Sequence, residues 1–404
     1  MSFQIRPIRE GEFDEAVAVV EAAFGEVVTP EDVQNERRVA ELDRSFAAFA
    51  DGRMIAGAAA YSFRLGVPGG EVATAGVTSV GVLPTHRRRG LNTALMRRML
   101  DDARERSEPL AALFASEGGI YGRFGFGLGS FSCGMDLETE RSAFVRGYTP
   151  SGRVLLHSKE EAFPRILEVY EGVRRTRAGM PVLDERWLEY RLHDHHPERE
   201  PAPFFAVHET DGAADGYAIY RIKHEWPGSM PRSEVAVSEL MATTPQAYAD
   251  TWRFVLDLDL IHRATAWSRP VDEPLVHLLA EPRRLRLTVK DGMWARLVDV
   301  RAALDARSYA GDGRIVVELR DRFCPWNEGR LSLQAAPDGA VCGPTDDDAD
   351  LACDVNVLGA VYLGGTTFRQ LWRAGQVQEL RPGALARADS LFAWDPAPWC
   401  PFVF

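Results

Sequence analysis

Apolar residues along the first 145 positions recur at two spacings. Phe13, Val17, Val20 and Phe24 fall three or four apart, as on one face of a helix. Apolar residues 46–50 and 54–63 flank Asp51-Gly52, a dipeptide suited to the left-handed turn of a hairpin. Residues 71–83 are rich in Val and Thr and predict a long strand, after which Leu91, Leu95, Met99 and Ala103 predict a helix with one apolar stripe. Strands and helices therefore alternate, and the first segment reads as a mixed α/β domain.

Beyond the turn at Gly147-Tyr148-Thr149-Pro150 the same order starts again: a strand at 154–157, a helix at 163–173, strands at 204–207 and 216–226, a long strand at 234–243 and a helix within 247–258. The repetition predicts a second copy of the first domain. From about Leu287 the pattern changes to a strand at 294–297 and a helix at 300–304. Strands at 314–319 and 329–334 and helical stretches at 356–362 and 367–374 follow. Three segments are expected, 1–147, 148–286 and 287–404. A chain of 404 residues also exceeds what one hydrophobic core usually organises.

The two long strands lead into different loops. The first enters Pro84-Thr85-His86-Arg87-Arg88-Arg89-Gly90, the second Thr244-Pro245-Gln246, without glycine or arginine. A strand, a basic glycine-containing loop and a helix start aim backbone N–H groups and the positive helix end at one point. Gly90 permits close backbone approach, and Arg87, Arg88 and Arg89 offer donors for phosphate oxygens. A pyrophosphate site is expected in the first copy and not in the second.

R-x-x-G-x-[GA] after a strand resembles the acyl-CoA motif of the GNAT acetyltransferases. Here it reads Arg87-Arg88-Arg89-Gly90-Leu91-Asn92, and Asn92 departs from the small final residue. The run ASEGGIYGRFGFG at 115–127, the degenerate second copy, a third segment like a sterol carrier protein and the aromatic ending PAPWCPFVF extend the likeness over the whole chain. It resembles the Eis (enhanced intracellular survival) N-acetyltransferases. That resemblance implies tandem GNAT domains, the second degenerate, followed by a sterol-carrier-protein-like α/β domain. It implies Tyr121 as general acid and the terminal carboxylate of Phe404 as general base. Acetyl-CoA contacts would come from Val80, Gly81, Val82, Arg87, Arg88, Arg89, Gly90, Leu91, Asn92, Thr93, Ser116 and Glu117. It further implies a homohexamer and direct attack by an amine in a ternary complex. A phenol of pKa about 10 is near enough to a thiol's to protonate a departing thiolate, and an α-carboxylate raised by desolvation can take the amine's proton.

A net charge of −12 argues against nucleic acid and suits a cationic amine, aminoglycoside-like or polyamine-like. A protein lysine or peptide amine is the alternative acceptor, and a lipid- or ligand-carrying role for the third segment is a further reading. The charged N-terminal stretch has no apolar core for export and no uncharged run reaches spanning length, so a cytoplasmic protein without a membrane span is expected. Five cysteines lack C-x-x-C spacing and read as free thiols. No metal is expected. His193, His195 and His196 lie in a polar stretch without further ligands, and after Asp346, Asp348 and Asp350 the residues a calcium loop needs are Leu351 and Val357. The glycines of 122–129 are read as a tight turn near the CoA thiol.

Because only the first copy carries the basic loop, calorimetric titration should give one acetyl-CoA site per chain. An Arg88→Glu, Gly90→Asp double variant should lose it, and two sites per chain would contradict the reading.

Overall fold

The computed structural model describes residues 3–193 and 201–404; His195 and His196 lie outside that range. Helix α1 (Phe13–Phe24) and α2 (Pro30–Val39) follow the short strand β1 (Gln4–Pro7). Strands β2 (Ser45–Ala50) and β3 (Arg53–Val67) form the hairpin expected at Asp51-Gly52, both of which have positive φ. The long strand β4 (Gly70–Val82), helix α3 (Leu91–Glu105) and strand β5 (Leu110–Phe114) make a parallel crossover. Alternation along β2 divides the packing: Phe46, Ala48 and Ala50 join the core under α3, while Ala47 and Phe49 pack towards Phe13 and Val17 of α1.

The first sheet has the order β1-β2-β3-β4-β5, then Met293–Leu297, then β6 (Gly127–Leu128). The strand expected at 294–297 thus does not open the third segment's own sheet. It pairs antiparallel with β5 over its full length, Met293 with Phe114 through Leu297 with Leu110. Phe131–Glu138, in the first 147 residues, likewise lies in the second sheet, between Arg286–Asp291 and Ile261–Arg269. By contact density the chain divides into two compact units: residues 1–130, 292–398 and 403–404 in one, residues 131–291 and 399–402 in the other.

The second unit repeats the crossover with Ser233–Ala242, the helix Pro245–Leu256 and Ile261–Arg269. Here Thr244 caps its own helix, its Oγ1 accepting from Ala247 N at 3.1 Å, whereas α3 begins on Gly90 without a side-chain cap. Within the first unit, residues 300–398 form a five-stranded sheet ordered Gly339–Pro344, Gly329–Ala336, Gly313–Arg320, Leu351–Asp354, Val377–Glu379. Its helices include Val355–Val361, Phe368–Arg373 and Ala384–Phe392. Among the described residues no helix is long and apolar enough to cross a membrane, and no group of three His, Cys, Asp or Glu could hold a metal.

A buried polar cluster in the second unit carries a titratable charge. His208 is inaccessible, with Nδ1 2.5 Å from Asp215 Oδ1 and Nε2 3.0 Å from the Ser151 carbonyl and 3.3 Å from Asp250 Oδ2. Burial disfavours the imidazolium. The bonds to Asp215 and Ser151, with the two carboxylate charges, outweigh it and raise the pKa above 6.5. The stabilisation is therefore complete below pH 6.5 and lost as pH rises through the raised native value. The denaturant midpoint of the wild type should lose ground to that of His208→Gln between about pH 6 and pH 9. A gap independent of pH would show that folding leaves the His208 pKa unshifted, and a gap moving the other way that the imidazole is neutral in the fold.

Candidate active site

The long strand β4 does not stay beside its parallel neighbour. Ladder pairs between β4 and β5 run only from Thr74 with Leu110 to Gly76 with Ala112, although β4 continues to Val82 and β5 to Phe114. On the other side, the β3–β4 register slips between Gly57–Gly81 and Ala59–Thr78, so Ser79 and Val80 oppose Ala58 alone. Ser79 takes φ +51° at this bulge. A bulge bends and twists its strand, which turns the end of β4 away from β5. Beyond Gly76 no described strand pairs with that edge of β4.

Val80, Gly81 and Val82 line this stretch. Gly81 has a second duty, because a Cβ there would lie 3.1 Å from Ala23 Cβ and 3.2 Å from Val20 Cα, and α1 packs on the bare backbone. The basic loop begins at the strand's end. Arg87 is exposed but lays its guanidinium along α1, Nη2 donating to Ala23 O at 2.6 Å and Nε to Val82 O at 3.3 Å. Its side chain therefore joins the loop to α1, which the expectation of a phosphate donor did not foresee. Arg88 and Gly90 both have positive φ, +62° and +82°, so the loop coils tightly before α3 starts. Arg88, Arg89 and Thr93 are exposed, and Leu91 is buried in the core. The first amides of this 15-residue helix have no intrahelical acceptor; the earliest helical bond is Ala94 N to Gly90 O. Such a terminus suits a pyrophosphate. Asn92 buries Oδ1 without a partner among the described residues, a cost that the small residue usual at this position avoids.

Past β5, Ser116 and Glu117 are exposed and lead into a helical turn, α4 (Gly118–Tyr121). Tyr121 is buried with Val77, Ala111 and Leu113, and its ring meets Phe126 edge-on at 6.0 Å. Burial pushes its phenol above the usual 10.0, a hydrogen bond with Ser116 works the other way, and the charge of Glu117 adds to the rise. The hydroxyl stays protonated at neutral pH.

The chain ends at the fork. The Phe404 ring makes edge contacts with Phe63 of β3 at 4.9 Å and Phe114 of β5 at 5.2 Å. A Cβ on Gly76, the last residue of β4 to pair with β5, would lie 3.2 Å from Phe404 and would collide with Phe63. Three strands thus seat the terminal ring where the ladder opens, in a slot that exists because position 76 has no side chain. Gly76, Phe63, Phe114 and the Ser79 bulge escaped the sequence reading, since no local pattern marks them. The glycines after Tyr121 are placed differently from their reading as a turn alone. Gly125 turns with φ +85°, but Gly127 and Gly129 admit Val355–Val361 and Met293–Leu297 at close range.

Residues 4–129 match the acetyltransferase (GNAT) domain, residues 179–297 match a second acetyltransferase (GNAT) domain, and residues 300–401 match the sterol carrier protein domain. An uncharacterised N-acetyltransferase of Streptomyces avermitilis is 41% identical over the full length of both chains. The N-acetyltransferase Eis of Mycobacterium bovis is 33% identical over 95% of each. The crystal structure of Eis1 from Mycobacterium abscessus superposes with a TM-score of 0.88 at 35% identity, covering 99% of this chain and 100% of that one. A sheet opened beside a basic strand-to-helix loop, and these matches, define a GNAT N-acetyltransferase, a class whose co-substrate is acetyl-CoA. Within it the chain belongs to the Eis family, with tandem GNAT domains and a sterol-carrier-like domain.

Gly76→Ala tests the seat of the terminal ring. Overpacking there should cost about 1–3 kcal/mol, read as a lower denaturant midpoint. An unchanged midpoint would mean that Phe63 and Phe404 are not held against this glycine.

Proposed function

We propose that the protein transfers acetyl from acetyl-CoA to an amine of a cationic small molecule, aminoglycoside-like or polyamine-like, by direct attack in a ternary complex. The observation that supports this reading is the Phe404 ring seated at the opening of β4 from β5, the edge that a thioester would occupy in this reading. The open edge at Val80, Gly81 and Val82 receives the pantetheine amides. The amides of Leu91, Asn92 and Thr93, the coiled loop at Arg88, Arg89 and Gly90 and the backbone of Arg87 receive the pyrophosphate. Ser116 and Glu117 border the thioester end.

The neutral amine attacks the thioester carbonyl. Its surplus proton passes to the Phe404 carboxylate, and the Tyr121 hydroxyl protonates the sulfur as the C–S bond breaks. Tyr121 suits an acid because burial keeps its proton in place. The carboxylate also attracts an ammonium substrate, in keeping with a chain of net charge −12. A protein lysine or peptide amine would undergo the same chemistry. The family resemblance supports a homohexamer, and five buried free cysteines support a reducing, cytoplasmic setting.

Extending the chain by glycine and serine after Phe404 should lower turnover about 10²-fold or more, the scale of general acid–base catalysis, while acetyl-CoA affinity and the fold survive. Tyr121→Phe should lower kcat and spare acetyl-CoA affinity. Full activity with an aminoglycoside in the extended enzyme, against an N-terminally tagged control, would remove the terminal carboxylate from the mechanism.

A further inference from the structure

The turn that follows Tyr121 is held from beneath by residues far away in sequence. Gly125 N bonds Gly122 O at 3.0 Å and Phe126 N reaches Tyr121 O at 3.4 Å, so the turn is continuous with Tyr121. Directly against it lies the Arg296 guanidinium: a Cβ on Gly125 would be 2.7 Å from Cζ and 2.8 Å from Nη1. Arg296 stands on Met293–Leu297, opposite Ala111 of β5, and is inaccessible to solvent. Its Nη2 donates to Asp321 Oδ2 at 2.6 Å, and Asp321 is equally buried.

Asp321 also fixes a loop of the third segment. It accepts from Cys324 N at 3.0 Å and from Asn327 Nδ2 at 2.8 Å. The loop's Phe323 meets Phe124 edge-on at 5.0 Å, in the same turn as Gly125. One ion pair therefore grips the turn twice, at Gly125 through the arginine and at Phe124 through the loop that the aspartate fixes. Hydrogen bonding explains its presence only in part: the guanidinium meets Asp321 and the buried Cys324 thiol, while Arg296 Nε and Nη1 have no nitrogen or oxygen partner among the described residues. Buried ion pairs are also weak sources of stability, often replaceable by hydrocarbon without loss. A charge kept at such a place fits a positional role.

We infer that Arg296 and Asp321 are positioning residues for the reaction, holding the 122–126 turn so that the Tyr121 hydroxyl keeps its place at the thioester end. The inference rests on the proposed role of Tyr121. It assigns the third segment a part in catalysis that needs no lipid or other ligand of its own. A shift of about 1 Å at the acid costs turnover far more than it costs binding of a long co-substrate.

The test is a cycle of variants assayed with acetyl-CoA and an aminoglycoside: Arg296→Met with Asp321→Leu, which removes both charges together, Tyr121→Phe, and the combination. The charge-free variant should keep its thermal midpoint and acetyl-CoA affinity and lose about tenfold or more in kcat. Added to Tyr121→Phe it should cost nothing further, because an acid that is absent cannot be misplaced. Gly125→Ala, which alters no charge but strains the turn at its positive φ and presses on the guanidinium and Val355, should show the same selective loss and serves if the first variant fails to fold. Full kcat in a folded Arg296 or Gly125 variant would overturn the inference, as would an equal loss with and without Tyr121. If Tyr121→Phe itself turns over at the wild-type rate, the proposed acid falls. A slow Tyr121→Phe beside unimpaired Arg296 and Gly125 variants condemns the positioning role alone.

Discussion

Two parallel strands that begin as neighbours and part after three residue pairs govern what this protein can do. Ladder bonds join β4 to β5 only from Thr74 to Gly76, and the slip at Ser79 bends the rest of β4 away. A sheet interior normally satisfies every backbone donor and acceptor. Opening one edge leaves a row of such groups without a partner among the described strands, while the sheet on either side keeps that row rigid. The open edge leads straight into the coiled loop and uncapped start of α3, so one continuous backbone offers amide partners and then a positive helix end. Val20, Ala23 and the Arg87 guanidinium hold the back of this run, so Gly81 and Arg87 both have a packing role.

An opened sheet must be supported where pairing has been given up, and the support comes from the C-terminal part of the chain. Met293–Leu297 restores a partner to β5 along its full length and separates it from β6. The Val355–Val361 helix packs on β6 through the bare backbones of Gly127 and Gly359. Arg97 and Arg104 of α3 lie over Phe323 and Trp326 of the third segment, at 3.8 and 4.2 Å from the ring centres. The sterol-carrier-like domain thus braces both the helix that starts at the basic loop and the turn that carries Tyr121. The last residue closes the arrangement with its ring against Phe63 and Phe114.

The sequence by itself determined the local elements and the family. Helical spacing located α1 and α3, Asp51-Gly52 located the hairpin, and the Val/Thr run located β4. The basic loop and the 115–127 run carried the resemblance to the Eis enzymes. The contrast between Gly90 and Thr244 marked which copy keeps an open helix terminus. Those signals are legible because turn chemistry, capping and apolar periodicity act between residues a few positions apart.

Only the tertiary structure decided the rest. Met293–Leu297 reads as a strand from its composition, but that its partner is β5, some 180 residues earlier, depends on which edges are left unpaired once everything else has folded. The same holds for Phe131–Glu138 in the second sheet. Ser79 has no sequence mark of a bulge, and nothing local announces that the Arg87 guanidinium meets the Ala23 carbonyl. Gly76 looks like any strand glycine until Phe63 and Phe404 fill its place. Periodicity records which face of an element is apolar and is silent about what meets that face, because partners distant in the chain are chosen by shape and by leftover hydrogen-bonding edges.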